Sequence, residues 1–132
     1  VIGVECVPQA IENAKENAVR NGIKNAEFYC FAAEDIVPKL LKEGESPDIV
    51  ILDPPRKGSD EATLSAIALA KPKRIVYVSC NPATLARDAH FLTENGYKLT
   101  SATPVDMFPF TEHIETVAKF ERTDDNARYK WR

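Results

Sequence analysis

A chain of 132 residues suffices for one domain with a modest core, or for part of a larger one. Its 44% hydrophobic and 28% charged residues fit a soluble globular protein, and no apolar run is long enough to cross a bilayer. A net charge of −3 excludes the overall basic footprint of a protein that grips nucleic acid by charge alone. Short basic clusters at Arg56-Lys57 and at Lys71, Lys73 and Arg74 read as solvated surface. The cysteines at positions 6, 30 and 80 are odd in number and lack metal-ligand spacing, which predicts no metal site and a reducing, cytoplasmic setting.

Strands and helices alternate from the first residue. Val1 to Glu5 reads as a strand, and Pro8 to Asn21 as a helix with apolar Ile11, Ala14, Ala18 and Val19, stopped by Asn21-Gly22. Ala26 to Phe31 forms a second strand, followed by a helix through Ile36, Leu40 and Leu41. The apolar run Ile49-Val50-Ile51-Leu52 is a third strand ending at Asp53-Pro54-Pro55, and a helix spans 60–70. Residues 74–79 make the fourth strand, and a helix over 82–95 opens with Asn81 as N-cap and Pro82 at its first position. Asn95-Gly96 turns the chain into a strand over Tyr97 to Ala102, and a last strand runs from Ile114 to Phe120. Four βα units followed by two strands without an intervening helix predict a doubly wound α/β sheet, mostly parallel, with an antiparallel finish. Residues 122–132 are polar and unpatterned and read as a tail behind a domain over 1–121.

Several residues stand where such a sheet does chemistry. Cys80, in Ser79-Cys80-Asn81-Pro82, lies between a buried strand and the N-terminus of a helix, a setting in which cysteines act as nucleophiles. A lone cysteine is more often a core residue. Glu5 ends the first strand, where an acid accepts hydrogen bonds from ribose hydroxyls; dehydrogenases use the same device. Asp53-Pro54-Pro55-Arg56 lies just past a strand's carboxyl end, and its prolines hold the loop rigid; an ordinary capped turn is the plainer alternative. Glu115 opens the last strand beside the aromatic-rich stretch Asp106 to Phe110, whose apolar surface suits a proton acceptor, although an exposed strand glutamate reads the same. His113 is most simply a hydrogen-bonded structural histidine.

Together these segments resemble the S-adenosylmethionine-dependent RNA uracil-5-methyltransferase family. The resemblance is carried by Val4-Glu5 with Ala10 to Ala14, by Asp53-Pro54-Pro55-Arg56-Lys57-Gly58, by Tyr77 to Asp88, and by Asp106-Met107-Phe108-Pro109 through His113-Ile114-Glu115. It implies a Rossmann-like class I methyltransferase sheet. It further implies that Cys80 adds to C6 of uracil, that Glu115 removes the C5 proton, and that Glu5 holds the cofactor ribose. Asp53 would lie between cofactor and base, and Arg56 beside the RNA. The target is an unstacked uridine, with the Cys80 segment more similar to the branch acting on 23S ribosomal RNA.

The resemblance also has departures. The family's first strand and glycine-rich cofactor loop, expected just before Val1, are not in this sequence, which therefore resembles the C-terminal part of a longer enzyme and is expected to be inactive alone. Ala32 stands where related methyltransferases often carry an acid for the adenine amine, and Phe110 where relatives often have histidine. Without the first strand, the strands at 1–5 and 48–53 face a gap. They are expected either to pair directly or to recruit a partner chain, as in a dimer. Two rival enzymes fit less well: amino-methyltransferases follow Asp-Pro-Pro with an aromatic residue, and RNA cytosine-5 methyltransferases with a cysteine, whereas Arg56 stands here. A non-catalytic, cofactor-binding fragment is the rival of another class.

Overall fold

Side-chain caps set the starts of two of the helices in a computed structural model that describes residues 1–123. The order is β1 (Ile2–Glu5), α1 (Pro8–Arg20), β2 (Glu27–Cys30), α2 (Ala33–Lys42), β3 (Ile49–Leu52), α3 (Glu61–Ala70), β4 (Arg74–Ser79), α4 (Pro82–Glu94), β5 (Tyr97–Val105) and β6 (Glu115–Arg122). All ten elements match the expected order and type. Among the described residues no helix is long and apolar enough to cross a membrane. Of the polar tail expected over 122–132, Arg122 closes β6, and residues 124–132 lie outside the described part.

The chain divides into two compact units, Val1–Glu45 and the residues from Ser46 onward. In the first, β1 and β2 pair in parallel, with Ile2 opposite Glu27 and Glu5 opposite Cys30. Helix α1 buries Ile11 and Ala18, and α2 buries Ile36 and Leu40, the apolar stripe of each amphipathic pattern. Glu34 and Asp35 in the first turn of α2, with Lys39 and Lys42 in its last, complement the helix dipole.

The second unit is a four-stranded sheet in the order β3-β4-β6-β5. Strands β3 and β4 are parallel, while β6 runs antiparallel to both β4 and β5, the expected antiparallel finish. Along β4 the pleat buries Ile75, Tyr77 and Ser79 on one face. There Ile75 lies opposite Phe120 and Tyr77 opposite Ala118, packed with Leu64 and Ile67 of α3 and Leu85 and Leu92 of α4.

Two expectations need correction. The last hairpin is longer than the pattern shows: β5 continues past Ala102 to Val105, pairing Pro104 with Thr116 and Val105 with Glu115. Proline usually ends a strand, but β5 is at the sheet edge, where a missing N–H breaks no ladder. The second correction concerns the gap. Among the described residues β1 pairs only with β2 and β3 only with β4, so the direct pairing of first and third strands does not form. Four-residue strands satisfied on one side leave short edges, which natural sheets tolerate.

Helix α3 carries a pH-dependent cap. The Asp60 carboxylate accepts from the backbone N–H of Thr63 at 2.8 Å and from its hydroxyl at 3.0 Å. The backbone bond holds the Asp60 carboxyl below its ordinary value. A group with a lowered folded pKa stabilises the fold above its unfolded pKa, about 3.9 for aspartate. That stability is lost as pH falls through the lower, folded value. Urea midpoints for wild type and Asp60→Ala are therefore expected to differ near neutral pH, by the roughly 1 kcal/mol of an N-cap, and to converge at the acid end. A gap that persists there would contradict the capping account.

Candidate active site

The turn between β4 and α4 is built to present one side chain. Ser79 points into the core, its Oγ accepting the Asn81 N–H at 3.1 Å and donating to the Asn81 carbonyl at 3.0 Å. Asn81 caps α4 as expected: its Oδ1 accepts from the Ala83 N–H at 3.0 Å, and Pro82 follows in the first turn. Between these anchored neighbours Cys80 is half-buried, with a free thiol.

The same turn grips the loop after β3. Asn81 Nδ2 donates to the Arg56 carbonyl at 3.3 Å and Thr84 Oγ1 donates to it at 3.2 Å. Asp53 directly follows Leu52, the last residue of β3, and is exposed. Since β3 and β4 are parallel neighbours with Leu52 opposite Tyr77, Asp53 and Cys80 both follow strand carboxyl ends at one edge of the sheet. That is where open α/β sheets bind ligands.

Strand register brings the third residue close in the ladder. Ser79 is paired with Thr116, the last pair between β4 and the antiparallel β6. One step further along the same register stand Cys80 and Glu115. Glu115 is half-buried and is also held by its pairing with Val105.

A cavity of about 320 Å³ opens at this edge, lined by Arg56, Cys80, Asn81, Pro82, Glu112, His113 and Ile114. Its volume is at the lower end of small-molecule sites, roughly 300–1,000 Å³. Arg56 and Cys80 thus share one cavity, whereas Asp53 and Glu115 are not in its lining. The lining carboxylate is Glu112, which the sequence reading did not single out. Nor did that reading give His113 a place here. Its imidazole meets the Arg56 guanidinium, with Nη2 2.7 Å from Nδ1 and 2.9 Å from Nε2. Arginine has only N–H groups to donate, so the imidazole is the acceptor. The available signal was position: residues 112–114 immediately precede β6, whose register leads to Cys80.

Glu5 belongs to the first unit, at the carboxyl end of β1. Its carboxylate is exposed and accepts from the Val7 N–H at 2.9 Å. That backbone bond holds the Glu5 carboxyl below its usual value, and the group is ionised at neutral pH. Ala32, the residue before α2, carries no carboxylate, so that position offers no acid. Among the described residues no cluster of histidine, cysteine, aspartate or glutamate could hold a metal ion.

Comparison with known proteins shows what the chain is similar to. An uncharacterized RNA methyltransferase of Clostridium acetobutylicum is 53% identical over 124 residues, 94% of this chain and 27% of that protein. One from Bacillus cereus is 56% identical over the same length, again 27% of its own sequence. The chain therefore spans about a quarter of the length of these curated relatives. Among solved structures, the Pyrococcus abyssi tRNA (uracil-54, C5)-methyltransferase in complex with S-adenosyl-L-homocysteine superposes with a TM-score of 0.74. It is 36% identical, over 91% of this chain and 28% of that one. A precorrin-6y C5,15-methyltransferase from Geobacter metallireducens shares the fold at 18% identity, with a TM-score of 0.69 over 92% of this chain and 66% of its own. The tRNA (uracil-5-)-methyltransferase family matches residues 1–123, and the chain belongs to that family.

Proposed function

We propose that residues 1–121 are the C-terminal catalytic part of an enzyme that methylates C5 of a uridine in RNA, using S-adenosylmethionine. The observation that supports this reading is the β4–β6 register: its last pair is Ser79 and Thr116, with Cys80 next after Ser79 and Glu115 just before Thr116. A thiol and a carboxylate so arranged match a nucleophile and a base acting on neighbouring atoms of one ring.

The residues fit a nucleoside cofactor. A carboxylate has about four acceptor positions; Glu5 gives one to the Val7 N–H, stays ionised, and faces solvent with acceptors for ribose hydroxyls. In the second unit, considered by itself, Asp53 is an exposed carboxylate directly after β3. When bound, S-adenosylmethionine supplies an electrophilic methyl group on a sulfonium.

The protein's own residues do the rest. C5 of uracil is a weak carbon nucleophile. Addition of the Cys80 thiolate to C6 forms the S–C6 bond and moves the ring π electrons onto C5 and the O4 enolate, so that C5 can take the methyl group. The Glu115 carboxylate then accepts the C5 proton. Electrons of the broken C5–H bond restore the C5–C6 double bond, the S–C6 bond breaks, and Cys80 leaves as thiolate. Arg56, held at the cavity rim by His113, offers the guanidinium for an RNA phosphate or the base carbonyls.

Glu115→Gln tests the division of labour in the whole protein. Without the base, addition and methylation proceed but elimination stalls. The variant is expected to accumulate a covalent RNA–protein species resistant to denaturing electrophoresis, with uridine-containing ribosomal or transfer RNA as probe. Full turnover by the variant would remove Glu115 from the role. An amino-methyltransferase would give methylated exocyclic nitrogen and no adduct.

A further inference from the structure

Asp88 is the only buried charged residue among the described ones, 1% exposed in the middle of α4, and the chemistry above makes no use of it. Burying a carboxylate is costly unless donors surround it. Here they do. Asp88 Oδ2 accepts from the Tyr77 hydroxyl at 2.5 Å and from the Ser59 N–H at 2.8 Å, and Oδ1 accepts from Arg87 Nε at 2.8 Å. Burial, reinforced by this carboxylate, pushes the Tyr77 hydroxyl far above its usual value and keeps it a donor. Arg87 turns its fork to the same loop: Nη2 donates to the Lys57 carbonyl at 3.1 Å and to the Ser59 carbonyl at 3.0 Å.

Besides the Tyr77 hydroxyl, the partners of this pair are loop backbone, namely residues 57 and 59, which follow Arg56. Gly58 stands between them with φ of +79°. A Cβ there would lie 2.5 Å from Arg87 Nη2 and 2.7 Å from Asp88 Oδ2, so only glycine lets the loop approach so closely. Only Asp88 is buried; the Arg87 side chain is 58% exposed, so the ion pair itself adds little net stability. What this one adds is a fixed position for the loop.

We propose that Arg87 and Asp88 are positioning residues that lock the loop over 57–59 onto α4 and thereby hold Arg56 at the rim of the Cys80 cavity. The consequence for catalysis rests on the uridine reading given above, whereas the locking does not. Arg87→Lys keeps a positive charge beside Asp88 but loses the planar fork. Native-state hydrogen exchange on this chain is expected to speed up at least tenfold at the Ser59 amide, with the amides of β4 and β6 unchanged. Arg87→Ala is expected to give the same local pattern if lysine partly bridges the loop. Unchanged exchange at Ser59 in both variants, or an increase shared equally by β4 and β6, would overturn the proposal. In the whole protein, Arg87→Lys is expected to raise KM for RNA about tenfold while kcat changes less than threefold; an equal fall in kcat with KM unchanged would contradict positioning of Arg56. Failure of the uridine reading would show separately, as no uridine methylation by the unmutated protein, and the exchange result would still decide whether the loop is locked.

Discussion

Cys80→Ala is expected to lower uridine methylation by the whole protein at least about 10⁴-fold, a loss typical of removing a covalent nucleophile. Asn81 N–H and side-chain bonds hold the turn without help from the thiol, so the substitution should leave the fold intact. A structural cysteine would behave in the opposite way, with stability falling and activity persisting. In the double variant with Glu115→Gln, the trapped covalent species is expected to disappear, because its sulfur is gone. Electrophoresis of the two variants with labelled RNA, beside a methyl-incorporation assay, reads both outcomes. Retained methylation in Cys80→Ala would favour transfer to an exocyclic amine, which needs no addition to the ring.

Phe120→Ala is expected to cost about 3–5 kcal/mol, the usual range for emptying a phenylalanine site in a core. The ring is fully buried on β6, opposite Ile75, among side chains from α3, α4 and β4. Domain stabilities are only about 5–15 kcal/mol, so a large fraction of the second unit's stability is at stake. Leu69→Ala, at an exposed position of α3, is the contrast and should change stability by less than about 0.5 kcal/mol. Urea denaturation followed by circular dichroism measures both. Equal effects at the two positions would mean that the core is not centred on the β4–β6 pair.

Element order and type were legible from apolar periodicity and from the boundaries that carry their own chemistry. Asp60 and Asn81 cap α3 and α4, and Asn95 follows the last turn of α4. The length of β5 was not legible, since it depends on pairing with β6 rather than on local pattern, and Pro104 reads as a breaker until β5 is known to be an edge. The division of the strands between two sheets was hidden for a related reason: periodicity identifies a strand but not its neighbours. At the candidate active site, Cys80 and the loop carrying Arg56 were singled out by their places at element ends, and the two residues line one cavity. Glu112 was passed over because it lies in an irregular stretch, where no periodicity says which way a side chain faces, and His113 was read as a hydrogen-bonded structural histidine without Arg56 as its partner. The Arg87–Asp88 pair was visible as sequence, yet its role is not readable there. Its partners are the Tyr77 hydroxyl and backbone atoms of Lys57 and Ser59, the latter distant in the chain.

The central claim is that Cys80 adds to C6 of a uridine. Incubating the whole protein with S-adenosylmethionine and RNA containing 5-fluorouridine tests it directly, because fluorine at C5 removes the proton assigned to Glu115 and blocks release. A stable adduct is expected, with mass spectrometry of the digested protein placing the nucleotide on Cys80. Methyl transfer to that RNA without any adduct, or an adduct on Cys6 or Cys30, would contradict the claim.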